Sequence, residues 1–225
     1  MTDVRSRLVE TATPDRPDGV VLVLHGGGGR GSAPVSPAQL SVLRMVPVAA
    51  RVARAGKGRL AVWRLLNSAR GWSERPTPVD DVRWALGRVR ERFGDDVPVA
   101  LVGHSLGGRA ALLAAADPQV RSVVGLATWL SGSEPIGPLP ARDVLLVHGD
   151  ADRVARIAPA MAAARRLEAS ARTGFVTVRG GSHSMLRHHA DFDGLAAQWV
   201  AATLLGDDPG PVLGRVLQGE RDVTV

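Results

Sequence analysis

Apolar positions along this chain fall into two alternating kinds of segment. Val20-Val21-Leu22-Val23-Leu24 is an unbroken apolar run closed by glycines, as expected of a strand buried on both faces. The runs 98–102 and 143–148 have the same character. Residues 58–66, 120–127 and 174–179 read as further strands, with helix as the alternative for 58–66. Between these runs the period changes to that of a helix. Over 79–93, Val82, Leu86, Val89 and Phe93 share one stripe and Gly94 supplies the stop. Helices are also predicted over 38–55, kinked or broken at Pro47, and over 106–116, 155–169 and 191–205.

Strands alternating with helices predict an α/β fold: a mostly parallel sheet with helices on both faces and ligands at the carboxyl ends of the strands. Six strands are firm, and residues 6–12 are the candidate for a seventh at an edge. One domain is expected over 1–206, followed by a tail over 207–225 that is partly loose or packed as a short helix. The Pro/Gly-rich loop 131–140 is too short to be a cap domain.

Composition narrows the partners. With 225 residues and 45% hydrophobic content the chain can bury a large core, which excludes a disordered protein. Its net charge of +6 would suit an anionic polymer, but 27 of its 28 basic residues are arginine, Lys57 being the one lysine. Only 5 Trp and 3 Phe supply aromatic platforms, so no nucleic-acid partner is expected. The absence of Cys rules out disulfides, thiolate metal sites and a thiol nucleophile. The N-terminal residues lack an apolar signal core, and no apolar run reaches the ~18 residues that span a bilayer, so a cytoplasmic protein with no membrane partner is expected. The oligomeric state is not legible.

The chemistry sits at strand ends. Gly103-His104-Ser105-Leu106-Gly107-Gly108 follows strand 98–102 and opens helix 106–116, the context of a G-x-S-x-G nucleophile elbow. Gly103 and Gly107 flank the serine because larger side chains would collide in so sharp a turn. The positive end of the following helix faces any oxyanion that develops there. A serine needs a base, and in this architecture an acid comes next in the chain and a histidine last. His148-Gly149-Asp150-Ala151-Asp152 follows strand 143–148, and Gly180-Gly181-Ser182-His183 follows strand 174–179. Three strand ends in the order Ser, Asp, His can converge above the sheet. His25-Gly26-Gly27-Gly28-Gly29, after the first buried strand, offers bare backbone N–H groups for an oxyanion, and the N–H of Leu106 is the second donor.

With these residues in place the chain resembles the α/β-hydrolase family, in particular its small lid-less esterase-like members, often described as dienelactone hydrolase-like. The resemblance rests on LHGGGG at 24–29, GWS at 71–73, GHSLGG at 103–108, HGDADRV at 148–154 and GGSHSM at 180–185, and spans roughly residues 19–205. It implies a sheet of about eight strands, a triad of Ser105, Asp152 and His183, and an oxyanion hole from the N–H groups of Gly27 and Leu106. Dienelactone hydrolases proper use a cysteine, which this chain lacks, so a serine nucleophile is implied instead.

Several residues have rivals. Asp150 competes with Asp152 for the acid, and His188 and His189 compete with His183 for the base. His25 and His104 read as shapers of their own loops. Trp72 and Trp129 are candidates for the substrate rim, with core filling as the alternative. From Val20 to Ser73 there is no acidic residue, while Arg30, Arg44, Arg51, Arg54, Lys57, Arg59, Arg64 and Arg70 all lie there. Arg30, beside the glycine loop, is the candidate for meeting a substrate carboxylate; a solvated basic face is the simpler explanation of the rest.

Gly26-x-Gly28-x-x-Gly31 also matches a dinucleotide fingerprint, but Pro34 and Pro37 oppose an immediate helix and no acidic residue follows for a ribose. No cofactor and no metal are expected. The sequence therefore predicts a serine hydrolase acting on a small carboxylic ester or related acyl compound. Activity should fall on the acid side as His183 protonates. Thioester or peptide cleavage by the same triad, and a non-catalytic binding protein of the same fold, are the alternatives.

Overall fold

The structure is a computed structural model that describes residues 6–28, 33–72, 75 and 77–225. In chain order its elements are β1 (Arg7–Ala12), β2 (Gly19–Leu24), α1 (Leu40–Leu43), α2 (Met45–Ala55), β3 (Leu60–Leu66), α3 (Pro78–Phe93), β4 (Val99–His104), α4 (Leu106–Ala114), β5 (Val120–Leu126), β6 (Asp143–Gly149), α5 (Ile157–Leu167), β7 (Arg172–Val178), α6 (His189–Leu205), α7 (Gly210–Leu217) and β8 (Val223–Thr224). The strands form one eight-stranded sheet in the order β1-β3-β2-β4-β5-β6-β7-β8. Only β1 runs antiparallel, against β3; every other pairing is parallel.

The unbroken apolar run of β2 has the cause expected of it. Val20, Leu22 and Leu24 point to one face of the sheet, Val21 and Val23 to the other, and all five are buried. The first face is covered by α3, α4 and α5, the second by α2, α6 and α7. Burying each such Val or Leu contributes about 1.5–3 kcal/mol. Helix α6 is apolar nearly all round because it is itself sandwiched, touching α2, α7 and the strands below it.

Local signals explain the boundaries. Thr77 caps α3 in a capping box with Asp80, and Pro78 occupies its first turn, where a missing N–H costs nothing. The segment 38–55 is divided, but at Arg44 rather than at Pro47. A proline ring collides with the carbonyl four residues back, here that of Leu43, so the disruption appears one turn upstream while Pro47 itself sits inside the first turn of α2. The tail forms α7, whose Val216 packs over Gly174 of β7, and then β8, which extends the sheet beside β7. Between β5 and β6, residues 127–142 contain no helix. No helix among the described residues is long and apolar enough to cross a membrane.

Three basic residues of the acid-free segment meet acids from outside it: Arg59 pairs with Asp18, Lys57 with Asp207, and Arg44 with Asp193.

Candidate active site

The carboxyl ends of β2, β4, β6 and β7 all open on the same edge of the sheet, because these strands are parallel. Ser105 stands in the one-residue turn between β4 and α4 with φ 54° and ψ −119°. A non-glycine residue in this region costs about 1–3 kcal/mol and is held there by its surroundings. Three backbone bonds do so: its N–H donates to Leu126 O (2.9 Å), and its carbonyl accepts from Arg109 N and Trp129 N (both 3.2 Å). The turn also needs Gly107, since a Cβ there would lie 2.5 Å from the Leu24 carbonyl oxygen at the end of β2.

His183 Nε2 lies 3.0 Å from Ser105 Oγ, and its Nδ1 lies 2.8 Å from Asp152 Oδ2. Asp152 follows β6 and its side chain is fully buried, while the His183 ring is 19% exposed. The other carboxylate oxygen of Asp152, Oδ1, accepts from the N–H groups of Val154 and Ala155, each at 2.8 Å. Burial alone would raise this carboxyl's pKa. The bonds from His148 and His183 and the two amides outweigh it and hold the pKa well below the ordinary carboxylate range. The acid and base loops can approach this closely because Gly149 has no side chain: a Cβ on it would lie 2.0 Å from the Gly181 carbonyl oxygen.

The rivals make other contacts. Asp150 Oδ1 accepts from Gly180 N (2.7 Å), tying the Asp152 and His183 loops together. His188 precedes α6 and His189 begins it, with His188 Nδ1 3.5 Å from Asp191. His25 Nδ1 donates to the Gly26 carbonyl (2.6 Å) and its Nε2 accepts from Asn67 N (3.2 Å), which shapes the glycine loop. His104 Nε2 donates to the His183 carbonyl (2.8 Å), and the two rings pack with centroids 4.9 Å apart. Burial, and then the neighbouring His183, push the His104 pKa down to about 3, so this ring stays neutral beside the candidate base.

The glycine loop lies directly against the serine: a Cβ on Gly26 would stand 3.3 Å from Ser105 Cβ. The N–H groups of Gly27 and Leu106 have no acceptor among the described residues. Arg30, Gly29 and Ser73 lie outside the described residues, so the expectation placed on Arg30 has no structural counterpart. Trp72 and Trp129 are part-buried and clamp an arginine of α4 that no motif marks. The guanidinium of Arg109 lies 4.7 Å from the Trp72 ring centroid and 5.7 Å from that of Trp129, with its Nε 3.5 Å from the buried carboxylate of Glu134. The available signal was spacing: Arg109 stands four residues after Ser105, one helical turn along the same face.

Two further residues escaped the sequence. His148 Nε2 donates to Ala155 O (2.9 Å) and lies 3.5 Å from Asp152 Oδ2, so it braces the acid. Arg44, at the break between α1 and α2, makes a buried pair with Asp193 (2.7 Å) and donates from Nε to Ser184 O (2.9 Å), which anchors the loop holding His183.

Residues 19–173 match the family model for the alpha/beta hydrolase fold, and the chain belongs to that family. It is a compact member: the described chain between β5 and β6, 127–142, holds no cap. Solved structures of the same fold include a serine hydrolase without a lid from Xanthomonas campestris, 21% identical over 92% of this chain and 99% of that one, with a TM-score of 0.64. A serine hydrolase homologue from Coxiella burnetii is 17% identical over 86% of this chain and 89% of that one, at TM-score 0.62. Est1E from Butyrivibrio proteoclasticus, solved with ferulic acid bound, is 14% identical over 88% and 95%, at TM-score 0.65. No curated protein matches the sequence.

Proposed function

We propose that this hydrolase-fold protein is a serine hydrolase that cleaves a small-molecule carboxylic ester, or a related acyl compound, through an acyl-enzyme and without a cofactor. The observation that carries this reading is the continuous line from Ser105 Oγ through His183 to Asp152, at 3.0 and 2.8 Å. His183 Nε2 takes the proton as Ser105 Oγ adds to the carbonyl carbon. Asp152 holds the ring so that Nδ1 carries its proton and Nε2 is free to accept, and then stabilises the imidazolium. The N–H groups of Gly27 and Leu106 hold the oxyanion. Water then attacks the acyl-enzyme with His183 again as base. The serine hydrolase from Xanthomonas campestris and the serine hydrolase homologue from Coxiella burnetii that share the fold agree with the reading.

The test is a pre-steady-state measurement with p-nitrophenyl acetate. A burst of nitrophenol close to one equivalent per chain is expected, together with one acetyl group on the peptide that contains Ser105. An acetyl group on any other residue, or none during turnover, defeats the proposal.

A further inference from the structure

A groove of about 950 Å³ opens beside His183. Its inner wall is His183 and His104, and its outer walls come from α1 and the loops around 151–154 and 182–186. The outer walls are apolar although they face water: Leu40 is 83% exposed, Leu186 64%, Val154 63% and Leu43 47%. Four large apolar side chains gathered on one rim are unlike scattered surface leucines and mark a surface that is covered when occupied. The charged lining residues are Arg44, already paired with Asp193, and Arg153.

The position of His183 identifies the occupant. When the tetrahedral adduct on Ser105 collapses, the bond from carbon to the alcohol oxygen breaks, and the proton on Nε2 passes to that departing oxygen. The leaving oxygen therefore has to lie within about 2.6–3.2 Å of Nε2. Whatever is attached to it begins at the His183 side of the site, where the groove begins. The acyl group stays on Ser105, and its later removal needs only a water molecule beside Nε2.

Resting on the hydrolase reading above, we infer that the groove between α1 and the Asp152 and His183 loops binds the alcohol half of the substrate, and that this alcohol is large and apolar. Its volume matches pockets that hold drug-sized molecules, far beyond what methanol or ethanol would fill. Among the described residues that line it there is no carboxylate to pair with a cationic alcohol.

Hexyl acetate and ethyl hexanoate test this directly, because they are isomers that differ only in which side of the ester carries the six-carbon chain. After correction for their alkaline hydrolysis rates, kcat/KM for hexyl acetate should exceed that for ethyl hexanoate by at least about tenfold. In the Leu40→Asp/Leu186→Asp double variant, checked for folding by thermal unfolding, this ratio should fall at least fivefold. Both positions are mostly exposed, so the substitutions put little strain on the fold. A ratio of one or below in the parent protein, or a ratio that the double variant leaves unchanged, overturns the assignment. If p-nitrophenyl acetate acylates Ser105 and the isomer ratio is still one or below, the groove assignment alone falls. If Ser105 is not acylated at all, the hydrolase reading fails and takes the assignment with it.

Discussion

Replacing Ser105 by alanine should lower kcat for an activated ester by about 10⁵–10⁶-fold and abolish labelling by a fluorophosphonate. The substitution removes the attacking oxygen and its one hydrogen bond, that with His183 Nε2. It leaves the backbone bonds that hold the turn, to Leu126, Arg109 and Trp129, untouched. Alanine inherits the strained φ of 54° but adds no atom that could collide, so the variant should fold and melt within a few degrees of the parent protein. Any remaining catalysis over water would come from the oxyanion donors and from substrate binding. Labelling of the alanine variant at the rate of the parent would sink the assignment of the nucleophile. A parent protein that leaves esters untouched despite a reactive Ser105 would instead favour a binding protein built on a hydrolase scaffold.

The parts of the site legible in the sequence are those that depend on neighbours in the chain. A glycine-flanked serine between an apolar run and a helical stripe marks an elbow, because the turn is local. The order of Ser105, Asp152 and His183 at three strand ends could be read because parallel strands bring their carboxyl ends to one edge whatever lies between them. The edge strand β1 was visible only as a candidate, and β8, two residues long, is too short to show a period. Other features depend on partners that are remote in the chain. Arg44 looks like one of eight basic residues in a row until Asp193, 149 residues later, is seen to hold it. The tryptophans at 72 and 129 have no obvious use until Arg109 lies between them. The groove is built from residues 40–47 at the start of the α1–α2 segment, His104 at the end of β4 and two later loops, pieces far apart in the chain that only the fold brings together.

The basic composition changes meaning in the same way. An excess of arginine over acid suggests an anionic partner when it is only counted. In the fold, Arg44 is spent on anchoring the His183 loop, and Arg109 is spent on a carboxylate and two indoles. These two arginines thus brace the surroundings of Ser105 and His183. The apolar rim next to Arg44 faces solvent and carries the exposed Arg153 as well.

Asp152→Asn should reduce kcat/KM by about 10⁴-fold while leaving the fold intact. The two N–H groups of Val154 and Ala155 both point at Oδ1. An asparagine amide in this position must therefore place its oxygen there and turn its NH2 toward the position now held by Oδ2. That NH2 would face His183 Nδ1, which in the parent donates to Oδ2 across 2.8 Å. Two donors cannot share one bond, so the imidazole moves its proton to Nε2. The nitrogen that should accept from Ser105 then carries a hydrogen and cannot act as a base. The same NH2 would also approach His148 Nε2, now 3.5 Å from Oδ2 and engaged as a donor to Ala155 O. Asp152→Ala should cost a similar factor for a different reason, the loss of any partner for Nδ1. Imidazole nitrogen NMR separates the two cases: the Asn variant should show His183 protonated at Nε2, the Ala variant a mixture of tautomers. An Asn variant within tenfold of the parent would mean that Asp152 is not the residue that sets the tautomer of His183.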